Sequence, residues 1–249
     1  MKQAMIFAAG LGTRLKPLTD MKPKALVSIG GEPLLKRVVL RLRDAGFTRV
    51  VVNVHHYARQ IVDYLNENDN FGLDIRISDE TDALLDTGGG LKKAMPLFDK
   101  NSPILIHNVD IISNVNLANF YEQGQNADAT LLVSNRKTKR YLLFDDASLL
   151  CGWTNTETGE VRSPYSGLDV SKLHAYAFSG IHLFSPYLFP CFDEMPDKFG
   201  IIDFYLKWCN SYPFKGLIKP GLKLMDVGKV DTLQDAESFV SGLSAEDKV

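Results

Sequence analysis

Ala8-Ala9-Gly10-Leu11-Gly12-Thr13-Arg14-Leu15-Lys16-Pro17-Leu18-Thr19-Asp20-Met21-Lys22-Pro23-Lys24 closes a short apolar run over residues 4–9. The run reads as a buried strand, and Gly10 and Gly12 stand where the chain must turn at its end. Arg14, Lys16, Lys22 and Lys24 then place four cations within eleven residues. Glycine lets backbone N–H groups approach a ligand closely, and successive N–H groups in such a turn form an anion-binding concavity. Arginine suits forked contact with phosphate oxygens, while lysine acts as a point charge. Pro17 and Pro23 fix the loop around these charges. The stretch therefore predicts a polyphosphate cradle rather than a solvated cationic surface loop.

Two familiar phosphate loops do not fit it. A P-loop needs Gly, four residues and then Gly-Lys-Ser/Thr, a string that does not occur here. A dinucleotide fingerprint needs a third Gly or Ala three residues after the second, but Thr13, Arg14 and Leu15 follow Gly12.

Outward from the loop, strand-like and helix-like segments alternate. Leu34, Leu35, Val38, Val39 and Leu42 recur at helical spacing, with Gly46 as a stop. Residues 49–54 form a β-branched run typical of a buried parallel strand. Ile61, Val62 and Leu65 mark a second helix, residues 73–78 alternate as a strand, residues 91–97 predict a short helix, and residues 103–109 predict another buried strand. This order predicts an α/β fold, a single-domain, mostly parallel twisted sheet with helices on both faces in the Rossmann-like manner. Ligands of such sheets bind beyond the carboxyl ends of the strands, which puts the glycine loop and Asp110 at one edge. Residues 135–177 are polar and mixed, and predict short strands and loops that form a small flap over a second pocket. Residues 177–184 return to the sheet, 201–212 read as a helix, 222–227 as a strand and 231–243 as a last helix, with a frayed end beyond. The pattern thus divides near residue 134. There is no run of hexapeptide repeats, and so no expectation of an appended β-helix.

The 249 residues and 45% hydrophobic content suit one ordinary core, and a net charge of −2 gives no bulk attraction to nucleic acid or anionic membrane. Cys151, Cys191 and Cys209 lack metal-ligand spacing and read as reduced thiols. No apolar window is long enough to span a membrane, and the amino-terminal run is too short for a signal peptide, so a cytoplasmic location is expected. The five histidines show no zinc spacing, and His55-His56 reads as a loop pair.

Gly10, Gly12, Arg14, Pro17, Thr19, Pro23 and Lys24 together resemble the signature of the sugar-1-phosphate nucleotidyltransferases, and the agreement continues through Leu26 and Gly30-Gly31-Glu32-Pro33-Leu34-Leu35. Thr87-Gly88-Gly89-Gly90, Asn108-Val109-Asp110, Phe178-Ser179-Gly180-Ile181 and Asp226-Val227-Gly228 follow in that family's order. The short chain, the Leu85-Asp86-Thr87-Gly88-Gly89-Gly90-Leu91 string and the tail from Asp226 resemble its N-acetylmuramate 1-phosphate uridylyltransferase branch.

The resemblance implies transfer of a nucleotidyl group from a nucleoside triphosphate to a sugar 1-phosphate, releasing pyrophosphate. It also implies that residues 1–134 are a nucleotide-binding half and 135–249 a sugar-binding half. UTP with N-acetylmuramate 1-phosphate is the expected pair, which would serve cell-wall sugar recycling. The alternatives are a GTP-dependent mannose- or heptose-1-phosphate transferase and a non-catalytic nucleotide-sugar-binding homologue. A monomer or small homo-oligomer is expected. Arg14 is expected on the β- and γ-phosphates, and Lys24 on the α-phosphate and the attacking phosphate, with Lys16 and Lys22 peripheral. Base and ribose should lie against Ala8, Ala9 and Gly10, with Gly12 and Thr13 in the phosphate turn and Gly88 and Gly89 offering backbone from the other side. Asp110 and Asp226 each end an apolar run; alone, each reads as well as a turn or cap, and the resemblance makes them a magnesium pair. Asn108, Ser179 and Gly180 would face the sugar by resemblance, and Glu80 either binds a hydroxyl or is simply solvated. Asp82 and Asp86 read as loop charges. One departure stands out. The Glu-Lys-Pro string of many relatives is missing between Arg140 and Gly180, where Lys172 is the only lysine. The contact to the sugar phosphate is thereby left without a residue.

Overall fold

The computed structural model describes residues 1–243; the frayed end expected beyond the last helix lies outside the described residues. The chain opens with β1 (Gln3–Phe7), the small hairpin β2 (Ser28–Ile29) and β3 (Glu32–Pro33), then α1 (Leu34–Asp44), β4 (Arg49–Val54), α2 (Ala58–Glu67) and β5 (Asp74–Asp79). It continues through α3 (Asp86–Ala94), β6 (Ile104–Asn108), β7 (Ile111–Ser113), α4 (Leu117–Gly124) and β8 (Ala129–Ser134). A meander of β9 (Arg140–Phe144), β10 (Leu150–Asn155) and β11 (Glu160–Arg162) leads to the long β12 (His174–Phe184). Last come α5 (Ile201–Trp208), β13 (Phe214–Ile218), β14 (Leu224–Asp226) and α6 (Leu233–Ser241).

β4 and β6 flank β1 in parallel, and β5 extends the sheet beyond β4. β12 joins antiparallel to β6, then carries β8 along residues 177–184 and β9 along residues 174–176. The chain thus builds away from β1 to one side and returns to its other side at β6. That reversal makes a topological switch point, and it opens a crevice beyond Phe7 and Asn108.

Alternation along β1 divides the core. Ala4 and Ile6 face a cluster with Leu35, Val39 and Leu42 of α1, Phe120 of α4 and Val240 of α6. Met5 and Phe7 face a second cluster with Leu91 of α3, Phe204 and Tyr205 of α5, and Phe192. Both faces are therefore covered, as the apolar runs of β1, β4 and β6 require.

Two predicted elements differ in detail. The helix expected over residues 91–97 begins at Asp86 and takes in all three glycines, giving way to a 3-10 turn at Met95–Leu97. Its glycines are tolerated because each meets another element at close range: a Cβ on Gly88 would stand 2.2 Å from the Phe199 ring, and one on Gly89 2.2 Å from the Asp197 carbonyl. The helix expected over residues 201–212 stops at Trp208. Among the described residues, no helix is long and apolar enough to cross a membrane.

Candidate active site

The glycine loop leaves β1 at Phe7 and is pinned at once. Asn53, buried at the end of β4, accepts from the amides of Ala8 at 2.7 Å and Ala9 at 3.3 Å through its Oδ1. Its Nδ2 donates to Glu80 Oε1 at 2.7 Å, and Glu80 Oε2 accepts from the Leu85 amide at 3.1 Å. Burial pushes the Glu80 carboxyl up from the usual carboxylate range, while the Leu85 and Asn53 bonds oppose that shift. Glu80 is therefore not solvated, though it borders the second cavity described below. It is a fully buried strut between β5, the loop after it and the glycine loop.

Beyond Ala9 the chain changes character. Gly12 takes φ +64°, and a Cβ there would meet the Thr19 methyl at 2.9 Å and Lys24 Cβ at 3.1 Å. Thr19 Oγ1 and the Leu15 amide both donate to the Gly12 carbonyl, at 2.8 Å each, which closes the turn. The amides of Gly10, Leu11, Gly12, Thr13 and Arg14 donate to no protein acceptor among the described residues. Such a row of unspent donors is an anion-binding concavity.

Lys24 is buried against this turn, and its ammonium pairs with Asp110 just past β6. β14 runs antiparallel to β7 with Asp226 opposite Ile111, and the Val227 amide donates to the Asp110 carbonyl at 2.8 Å. This small two-stranded sheet is what brings two carboxylates 116 positions apart in sequence to one edge. Asp226 is exposed, yet charged groups of the loop and of β8's end stand around it. Loss of bulk water and then the Asp110 charge push its carboxyl up, while Lys24, Arg14 and Arg136 pull it down. Gly228 keeps the corner open, because a Cβ there would lie 2.9 Å from Asp226 Oδ1 and 3.2 Å from Arg14 Nη2.

A cleft of about 370 Å³ results, walled by Gly10, Gly12, Thr13, Arg14, Lys24 and Asp110, with Asn108 and Thr87 also on its wall. A second cavity of about 310 Å³ adjoins it, lined by Ala9, Gly10, Asn53, Glu80, Thr87 and Lys198. The structure thus brings Ala8, Gly10, Gly12, Thr13, Arg14, Lys24, Asn108 and Asp110 together on one cleft and sets Ala9 on the cavity beside it.

Three further expectations are corrected. Gly88 and Gly89 do not offer their backbone to a ligand, since both amides donate to the Phe199 carbonyl, at 2.9 and 3.2 Å. Ser179 is fully buried in the irregular stretch of β12 and sealed from the cleft. Gly180 is a seat rather than a wall: at φ +72° it leaves room for Asn108, whose Nδ2 a Cβ would meet at 2.8 Å.

The sequence reading passes over Asn53, Lys198 and Arg136. Asn53 looks like any polar residue in a strand, and Lys198 belongs to no motif. Arg136 left a signal, as the first cation after the apolar run of β8, and its charge reaches Asp226.

A family model described as nucleotidyl transferase matches residues 3–142. The chain is 41% identical over 113 residues to an N-acetylmuramate alpha-1-phosphate uridylyltransferase of Neisseria meningitidis serogroup B, a match spanning 45% of this chain and 48% of that one. It is 33% identical over 197 residues to the Caulobacter vibrioides protein of the same name, spanning 74% and 76%. HddC from Yersinia pseudotuberculosis, solved in complex with GMP-PN, shares the fold with a TM-score of 0.76 at 23% identity, over 96% of this chain and 99% of that one. With the glycine loop, its cations and the strand that follows all inside the matched segment, the chain belongs to the nucleotidyl transferase family.

Proposed function

We propose that the protein transfers a nucleotidyl group from a nucleoside triphosphate to a sugar 1-phosphate, with UTP and N-acetylmuramate 1-phosphate as its pair. One observation carries this reading: unspent loop amides, Arg14, Lys24 and Asp110 line one cleft, and Asp226 stands near enough to feel the charges of Asp110, Lys24 and Arg14. The uridylyltransferase names of the two relatives support the choice of substrates. Residues 1–134 would then bind the nucleotide and residues 135–249 the sugar.

Two carboxylates with a mutual charge that favours protonation of one are a donor set suited to a hard cation. No group of three or more His, Cys, Asp or Glu among the described residues could hold a metal by itself. That composition fits magnesium, which takes one or two carboxylates and fills its shell with substrate phosphates and water. Asp110 and Asp226 would hold it, and when bound it neutralises charge on the phosphate oxygens.

The chain's own groups do the rest. A phosphate oxygen of the sugar 1-phosphate attacks the α-phosphorus, the bond to the bridging β-phosphate oxygen breaks, and pyrophosphate leaves. The attacking oxygen is already ionised near neutral pH, so no general base is required. The amides over residues 10–14 and the Arg14 guanidinium hold the leaving pyrophosphate. Lys24, on the cleft wall and paired with Asp110, would meet an α-phosphate oxygen. Arg136, near Asp226, supplies the cation that the missing Glu-Lys-Pro lysine leaves wanting at the sugar phosphate. Catalysis is then positioning plus neutralisation of developing charge.

The test is pyrophosphate release with and without magnesium over a grid pairing UTP, GTP, dTTP and CTP with the 1-phosphates of N-acetylmuramate, N-acetylglucosamine, glucose, mannose and heptose. Magnesium-dependent release strongest for UTP with N-acetylmuramate 1-phosphate is expected. Release confined to GTP with mannose or heptose would replace the substrates and keep the chemistry. No release for any pair would overturn the reading.

A further inference from the structure

The flap contains a cavity of about 320 Å³ that the transfer chemistry uses only at Arg136, walled by Arg136, Arg140, Tyr141, Trp153, Arg162 and Phe178. Its cations are placed by strand register. Trp153 of β10 pairs across to Leu142 of β9 and to Arg162 of β11, and Asn155 pairs to Arg140. Directly opposed residues share a face of an antiparallel sheet, as do residues two apart along a strand, so Arg140, Trp153 and Arg162 point to the same side. The Arg162 guanidinium lies 5.6 Å from the centre of the Trp153 ring and is held by Asp203 at 2.5 Å. Arg136 donates to the Phe178 carbonyl at 2.9 Å. The Arg140 guanidinium has no acceptor among the described residues. Three arginines therefore face one small space whose lining holds no acid; of the acids nearby, Asp203 is paired with Arg162, and Glu160 shares the arginines' face opposite Asn155.

Two residues of the cavity wall link it to the reaction site. Phe178 lies on its wall, and two residues on, Gly180 seats Asn108, which is on the wall of the phosphate cleft. Arg136 lies on the same wall, with its charge reaching Asp226. A sugar whose 1-phosphate sits beside the carboxylate pair would extend its ring toward Trp153 and Phe178. Their apolar faces suit the C–H face of such a ring. Whatever projects from the far side of that ring meets Arg140 and Arg162. Guanidinium forks match planar carboxylates, and two of them facing a cavity without a free acid would disfavour a neutral substituent.

We propose that Arg140 and Arg162 read a carboxylate carried on the acceptor sugar, which makes an acidic sugar 1-phosphate the preferred acceptor over its neutral counterpart. The proposal rests on the nucleotidyl-transfer reading above and names residues that set its substrate. Arg162 acts from a fixed position, braced by Asp203 and Trp153, whereas Arg140 is free to close on the ligand.

N-acetylmuramate 1-phosphate and N-acetylglucosamine 1-phosphate differ only in the lactyl ether that bears the carboxylate, so the ratio of their kcat/KM values with UTP isolates the contact. The ratio is measured for the unaltered protein, Arg140→Met and Arg140→Lys, with a thermal melt for each. Arg140 has no protein partner to lose, so its variants should fold. The unaltered protein should favour the acidic sugar. Arg140→Met should reduce that preference by about ten- to a hundredfold, the scale of one charged hydrogen bond, chiefly through KM for the acid. Arg140→Lys should keep part of it. An unchanged ratio in Arg140→Met, or a neutral preference in the unaltered protein, would overturn the proposal and leave nucleotidyl transfer standing. Pyrophosphate release from neither sugar would overturn the substrate reading and the proposal together.

Discussion

Lys24 is one of the few buried charges of the chain, and Asp110 is its partner. A buried ammonium persists only where a carboxylate compensates it, and the pair stands at the lip of a cleft lined with unspent amides. Arg14 is different: exposed, unpaired within the described residues, and held near Asp226 only by the turn after Gly12 and by the open corner at Gly228. Substituting either by alanine should lower kcat by about 10²–10³, the loss typical of one transition-state donor. The Arg14→Ala variant should melt with the unaltered protein, so steady-state rates and a thermal melt together separate chemistry from folding. Wild-type turnover in both variants would remove these residues from the mechanism. Arg14 and Lys24 stood out in the sequence because one short local motif carries both, whereas Asp110 and Asp226, alone as readable as turns or caps, stood out only through the family resemblance. Asn53 and Arg136 did not. Their roles arise from what the fold sets beside them, Ala8 and Glu80 in one case and Asp226 in the other, and no spacing in the chain encodes that proximity.

At the scale of elements, α3 shows where local pattern and tertiary packing part ways. Three consecutive glycines read as a flexible turn, since glycine in a helix interior is unfavourable relative to alanine. The structure makes them the first turns of the helix, because only glycine lets that helix lie against residues 197–199. A Cβ on Gly88 would force the buried Phe199 ring, which packs on Phe192, out of place. Gly88→Ala should therefore destabilise the protein by about 1–3 kcal/mol through overpacking, despite its better helix propensity, as read from urea midpoints. A stabilised variant would show that the packing there yields easily. The strand alternation over residues 1–110 was legible because buried parallel strands carry near-continuous apolar runs. β13 and the β2–β3 hairpin were not. The hairpin is too short to show a period, and β13 is recruited by its pairing with β8 rather than by pattern.

For the molecule as a whole, the two faces of the sheet each bury a histidine. His107 on β6 and His182 on β12 are fully enclosed, and burial lowers the imidazole of each to about 3, with Arg41 adding to the effect at His107. His182 Nδ1 shares a hydrogen bond of 2.5 Å with the Tyr205 hydroxyl, and its enclosure in the core is what favours the neutral ring. In the unfolded chain each would titrate near 6.5. Below that pH the unfolded state binds more protons than the folded one. Stability should therefore fall as pH drops through about 6.5 and keep falling until the folded value near 3 is reached. The slope approaches about 1.4 kcal/mol per pH unit for each histidine. Glu80, whose carboxyl is raised by burial, acts with the opposite sign at lower pH. Urea unfolding between pH 7.5 and 5 should show the decline, and His182→Gln should flatten it by about half. A midpoint that holds steady across this range would mean that the histidines titrate alike in the folded and unfolded states.

The same sheet that buries these groups delivers the glycine loop, Asp110 and Asp226 to one edge, and that convergence is what nucleotidyl transfer requires. The most direct measurement follows the α-phosphate itself. UTP labelled at that position is incubated with N-acetylmuramate 1-phosphate and magnesium, and labelled sugar nucleotide and pyrophosphate are quantified together for the unaltered protein and for Asp226→Asn. One labelled UDP-sugar per pyrophosphate, lost by about 10²-fold or more in the variant, is the expected result. Label remaining in UTP, or a sugar nucleotide formed equally well by Asp226→Asn, would contradict it.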